Sequence, residues 1–206
     1  MTIAGVVLAA GRSSRMGAPK ALLDYRGQPF VASIVRVLEA LELHPRVVVV
    51  GDAAPRIRAA LAAHDVMLVE NPWEPPDPGP ISSIRAALAA LEHARPQGVL
   101  VWPVDYPHVR TATIESLVDA FRAQHPSAVL PVFGGRRGHP VLWSDRAVPA
   151  LLEDQRAGTE GARAVLHSLP RRDVREVAVG DPAVLDGINT PEDYERLIRG
   201  INQDAY

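Results

Sequence analysis

The chain has 206 residues, a mass of 22.2 kDa and a formal net charge of -2, with 47% hydrophobic and 22% charged residues. That profile predicts one soluble domain over residues 1–206, and the scattered basic residues argue against a nucleic-acid partner. The absence of cysteine excludes disulfides, thiolate metal sites and a cysteine nucleophile, and no apolar run nears the roughly 20 residues needed to cross a bilayer, so a cytoplasmic protein is expected.

Ile3 to Ala10 is an apolar run ending at glycine and predicts a buried strand. Phe30 to Leu43 places Val31, Ile34, Val35, Leu38 and Leu41 at helical spacing behind Pro29, which suits a helix start. A strand follows at Arg46 to Val50, then a helix over Pro55 to Ala63 and a strand over Val66 to Val69. Asn71 to Pro80 carries five prolines and reads as a loop, because proline donates no backbone hydrogen bond.

Ile81 to His93 predicts a helix, Gly98 to Pro103 a buried strand, and Thr111 to Gln124 another helix. Ala128 to Phe133 and Pro140 to Trp143 read as strands around the turn from Gly134 to Gly138. Leu151, Leu152, Val165 and Leu166 fall in shorter helical stretches. A last strand near Val174 to Val179 precedes a closing helix over Pro191 to Arg199. Strands alternating with helices predict an α/β fold of three layers, with a mixed but mainly parallel sheet covered on both faces.

The loop after the first strand, VVLAAGRSSRMGAPK, carries the chemistry. In open α/β sheets ligands bind at the carboxyl ends of strands. The small residues Ala9, Ala10 and Gly11 let a ligand approach the backbone closely, and Ser13 and Ser14 add hydroxyl donors. Arg15 and Lys20 bring positive charge to the same loop, as a triphosphate requires. Lys20 is the one lysine among 22 basic residues. Neither the dinucleotide fingerprint nor the P-loop fits, because the only glycines in this loop are Gly11 and Gly17 and Ala18-Pro19 precedes the lysine.

Asp105 ends the apolar strand in V-D-Y-P, where a carboxylate is well placed to hold Mg²⁺ against phosphate oxygens. Gly79, Ser82 and Ser83 open a helix, and the serines serve either as caps or as ligand donors. Arg137, Gly138, His139 and Pro140 form a G-H-P segment before two apolar residues; His139 reads either as a buried hydrogen-bonding histidine or as a substrate contact. Thr190, Pro191, Glu192 and Asp193 suit the start of the closing helix.

L-A-A-G-x-S-x-R-M-G-x-x-K resembles the signature loop of the Rossmann-like nucleotidyltransferases, and G-H-P resembles the molybdenum-cofactor cytidylyltransferases among them. The resemblance implies that Leu8 to Gly11, Ser13, Ser14, Gly79, Ser82 and Ser83 bind the nucleotide. It implies that Arg15 and Lys20 hold the phosphates, and that Arg137 to Pro140 meet the acceptor. The second metal ligand beside Asp105 falls at Asn189, where related cytidylyltransferases carry aspartate. The implied reaction moves CMP from CTP to the terminal phosphate of molybdenum-molybdopterin with Mg²⁺ as cofactor, and a molybdenum hydroxylase is the implied transient partner. A GTP-dependent or other small-phosphate transferase, and a non-catalytic cofactor chaperone, remain as alternatives.

Overall fold

The computed structural model describes residues 1–71 and 79–203, so most of the proline-rich loop expected over residues 71–80 lies outside the described residues. Strand β1 (Ile3–Ala9) is apolar on both faces because both are covered. Val7 and Ala9 point into one core with Phe30, Ile34 and Leu38, while Ala4 and Val6 join Ile81, Ile84 and Trp143 in another. Period-two alternation at one strand thus feeds two helical layers.

Helices α1 (Phe30–Ala40) and α4 (Thr111–Gln124) pack on the first face. On the second lie α3 (Gly79–Ala90), α5 (Val148–Glu153), α6 (Ala157–Glu160) and α7 (Ala162–Ser168). The short α2 (Ala54–Ala60) joins β4 (Arg46–Val50) to β5 (Met67–Glu70). The remaining strands of the main sheet are β6 (Gly98–Pro103), β7 (Ala128–Phe133), β8 (Arg136–Arg137), β9 (Val141–Ser144) and β10 (Val174–Ala178).

The strand order is β10-β7-β9-β6-β1-β4-β5, with β8 paired to β7. Strands β4, β6 and β5 extend the sheet from β1 in parallel, and β10 runs parallel to β7. Only β9 breaks the direction along this path, antiparallel to both β6 and β7. The expected mixed, mainly parallel three-layer sheet is the observed one.

Several boundaries differ from expectation. Gly79 and Pro80 form the first turn of α3, so the helix opens at Gly79 as expected and the loop ends before it rather than at Pro80; a helix start leaves its first N–H groups unpaired, so proline costs nothing there. Helix α1 stops at Ala40, where Glu42 turns the chain at φ 52°. A two-stranded hairpin, β2 (Asp24–Tyr25) and β3 (Gln28–Pro29), was not expected. Arg26 and Gly27 both take positive φ at its turn, and Asp24 Oδ1 accepts the Gly27 N–H at 3.1 Å. The closing helix α8 (Pro191–Gln203) runs beyond Arg199. No helix among the described residues is long and apolar enough to cross a membrane.

Candidate functional site

A cleft of about 810 Å³ opens at the carboxyl ends of β1 and β6. Its walls bring together residues from across the chain: the Leu8 to Arg15 loop with Lys20, the start of α3, Asp105 with Tyr106, His139, and Asn189. The loop is internally tied. Ser13 sits at φ 52°, its hydroxyl oxygen accepts the Lys20 backbone N–H at 3.0 Å, and its carbonyl accepts the Met16 N–H. Ser13 therefore pins the start of the phosphate-type loop to its end.

Lys20 Nζ donates to Asn189 Oδ1 at 2.7 Å across 169 positions of sequence. Asn189 is itself held from behind: its Nδ2 donates to the Gly187 carbonyl and its N–H to Asp193 Oδ2. Asp193 also accepts the Thr190 N–H, and the Thr190 hydroxyl returns the favour to the Asp193 N–H at 3.3 Å. This is a reciprocal cap at the start of α8. The cap expected at Thr190 is present, and it fixes the amide so that its oxygen faces Lys20.

Burial sets the electrostatics. It pulls the Lys20 pKa down, opposed chiefly by the Asp105 carboxylate and reinforced by Arg15. Burial likewise pushes Asp105 up, with Lys20 as the main opposing charge. The two groups therefore need each other to stay ionised. Burial, with the negative charges of Asp105 and Asp186, lifts the Tyr106 phenol to about 12, so it remains a hydrogen-bond donor. His139 is lowered by burial, which outweighs the pull of Asp105, so its imidazole is neutral near pH 7.

Among the described residues no group of three or more histidine or acidic side chains gathers to hold a metal. Asp105 and the Asn189 amide oxygen both face the cleft and are hard oxygen donors. Such a pair suits a small divalent cation that takes its other ligands from phosphate oxygens and water.

Ser82 and Ser83 do not act as simple helix caps. Both hydroxyl oxygens accept from Asn71 Nδ2, at 2.9 and 3.1 Å, in the cleft wall. Of the four residues Arg137 to Pro140, His139 lines the cleft, and Arg137, Gly138 and Pro140 stand outside its wall. The Arg137 guanidinium is held by Glu176 of β10, with Nη2 at 2.6 Å and Nε at 2.8 Å from Oε1. Gly138 serves packing, since a Cβ there would run into the carbonyl oxygen and side chain of Val184. His139 alone of the four faces the cleft, its ring 4.9 Å from that of Tyr106.

Asn71, Tyr106, Glu160 and Arg163 also line the cleft, although no motif in the sequence marks them. Asn71 and Tyr106 are adjacent to recognised motifs, but their roles rest on long-range contacts. For Arg163 the available signal is Gly161, which takes φ 69° between α6 and α7 and lines the cleft with it.

The chain matches the model of the MobA-like NTP transferase domain over residues 5–174. A probable molybdenum cofactor guanylyltransferase from Bacillus cytotoxicus is 26% identical, with 96% of each chain covered. The crystal structure of Rv0371c from Mycobacterium tuberculosis is 32% identical and superposes with a TM-score of 0.83, covering 97% of this chain and 98% of that one. A second structure of Rv0371c, complexed with manganese, has 31% identity and a TM-score of 0.78, covering 97% and 99%.

Proposed function

The chain belongs to the MobA-like NTP transferase family, and from that premise we propose that it transfers CMP from CTP to the terminal phosphate of molybdenum-molybdopterin. The observation that carries the transferase reading is the convergence of Lys20, Asn189 and Asp105 at the mouth of the loop, with Lys20 Nζ 2.7 Å from Asn189 Oδ1. In this reading the backbone of Leu8 to Gly11 lies against base and ribose, and Asn71 with Ser82 and Ser83 presents polar groups to the base. Arg15 and Lys20 hold the triphosphate.

A phosphate oxygen of the acceptor attacks the α-phosphorus in line. The bond to the β-phosphate breaks and pyrophosphate leaves, so no covalent enzyme intermediate is needed. The neutral His139 and the protonated Tyr106 orient the acceptor from the far wall, and Arg163 offers it a charge. Asp105 and Asn189 Oδ1 would hold the divalent cation, which supplies charge neutralisation at the phosphates. Manganese in an Rv0371c structure supports a divalent ion here, and Mg²⁺ is the proposed one. Catalysis then rests on positioning and preorganised charge.

Support for cytosine is the A-A-G wording of the loop and the G-H-P segment. The name guanylyltransferase on relatives from Bacillus favours a second reading, with GTP as donor. The two are separated by offering CTP and GTP together at equal concentration with the acceptor and Mg²⁺, then identifying the dinucleotide by mass spectrometry. Predominance of the cytosine dinucleotide is expected. Predominance of the guanine dinucleotide would reverse the base assignment and keep the chemistry.

A further inference from the structure

The connection between β10 and α8, residues 179–190, touches three separate parts of the cleft. The Val184 carbonyl accepts the His139 N–H at 2.9 Å, and the Ile188 N–H donates to the Asp105 carbonyl at 2.8 Å. Asn189 Oδ1 accepts from Lys20 Nζ at 2.7 Å. Ile188 is also fully buried in the core of the first face, so apolar packing anchors the segment as well.

Gly187 lies in the middle of this segment and stands outside the cleft wall. Its φ is not positive, so the backbone there does not demand glycine. The space around it does. A Cβ at Gly187 would stand 3.0 Å from both Cζ and Oη of Tyr106 and 3.1 Å from Nδ2 of Asn189. Carbon atoms in ordinary contact sit about 3.5–4.0 Å apart, so even a methyl group would force one of these neighbours to move.

Both neighbours are fixed on their other sides. The Tyr106 N–H bonds to the Pro103 carbonyl, its own carbonyl accepts the Trp102 indole N–H at 3.0 Å, and its ring lies 4.9 Å from that of His139. The Asn189 amide donates from Nδ2 to the Gly187 carbonyl at 2.9 Å. Because an amide is planar, pushing Nδ2 aside swings Oδ1, the atom that faces Lys20. Tyr106 follows Asp105 directly in the chain, so a displaced ring pulls on the carboxylate's own backbone.

We propose that Gly187 is a positioning residue for the divalent cation: its bare Cα lets the Tyr106 ring and the Asn189 amide close on one another and so sets the placing of Asp105 and Asn189 Oδ1 as a donor pair. The inference rests on the reading of those two groups as the cation's ligands. Gly187 makes no contact with the cation itself. Disturbing a group that orients a metal ligand typically weakens metal binding by about 10–100-fold, and a single methyl group belongs at the lower end.

The test is a titration of full-length protein with Mn²⁺, counting the free ion by electron paramagnetic resonance. Gly187→Ala should raise the dissociation constant about tenfold with little change in the circular dichroism melt. Gly180→Ala, in the same connection but with nothing within 4 Å of its Cβ, should leave the constant unchanged. Asp105→Asn should weaken binding at least as much as Gly187→Ala. No saturable binding by the wild type, or an unchanged constant in Asp105→Asn, would remove the ligand reading and the inference together. Weakening in Asp105→Asn with no change in Gly187→Ala, or equal losses in Gly187→Ala and Gly180→Ala, would overturn the inference alone. In a Tyr106→Ala background the methyl group has room, so adding Gly187→Ala should change the constant by no more than about twofold, the usual error of additivity. That background carries the test if the single variant does not fold, and a full tenfold loss within it would overturn the role given to the ring.

Discussion

Lys20 and Asp105 show how one pair of side chains ties stability to function. Each is buried enough to resist ionisation, and each is the other's main support. Replacing Lys20 by alanine should reduce turnover by about 10²–10³, the usual cost of one preorganised charge donor, while leaving the folded structure intact; steady-state kinetics beside a circular dichroism melt checks this. The Asp105 carboxyl, raised above its ordinary value of 3.8, also makes a pH prediction for the metal-free protein. Below 3.8 it is protonated in both states and contributes nothing. As the pH rises through the window between 3.8 and the raised folded value, the unfolded chain gives up its proton first, and the fold is progressively destabilised. Above that window the penalty is constant. Denaturant unfolding of the wild type against Asp105→Asn should therefore show the difference moving against the wild type across that window, and a difference flat in pH would contradict the burial argument. Arg15, Lys20 and Asp105 were legible in the sequence because they belong to local motifs. Tyr106 and Arg163 were not, because only the folded chain brings them to the cleft.

Single elements set the position of the cleft's parts. Gly51 closes β4 against the nucleotide-type loop, and a Cβ there would stand 2.6 Å from the Ala10 carbonyl oxygen. Gly51→Ala should cost about 1–3 kcal/mol of stability, as overpacking against backbone does, and should raise the nucleotide KM by displacing Ala10. Chemical denaturation and substrate titration measure the two effects, and an unchanged KM would show that the loop absorbs the change. The apolar runs of β1, β4 and β6 were readable because strands covered on both faces carry no alternation. The β2–β3 hairpin escaped because two-residue strands have no period to detect, and its turn uses Arg26-Gly27 rather than the commoner asparagine or aspartate. Helix α3 began earlier than the prolines suggested, since Pro80 is acceptable in the first turn. Arg137, which the G-H-P segment places on the acceptor side, pairs at the surface with Glu176 of β10.

At the scale of the molecule, the main sheet and its two cores exist to bring segments from Leu8 to Asn189 to one edge. The strand reversal at β9 belongs to this assembly, because it places His139 beside Tyr106 in the cleft that the Leu8 to Arg15 loop also lines. Fold class followed from alternation alone, whereas the cleft wall with Tyr106 and Arg163 needed contacts that no spacing encodes. The proposed reaction is nucleotidyl transfer without an enzyme-bound intermediate. Its most direct test is a single-turnover reaction of purified protein with CTP or GTP, Mg²⁺ and molybdenum-loaded molybdopterin, counting pyrophosphate and dinucleotide together. Equal amounts of both, formed only when acceptor is present and lost in Lys20→Ala, are the predicted result; pyrophosphate released without acceptor, or no dinucleotide with either nucleotide, would contradict it.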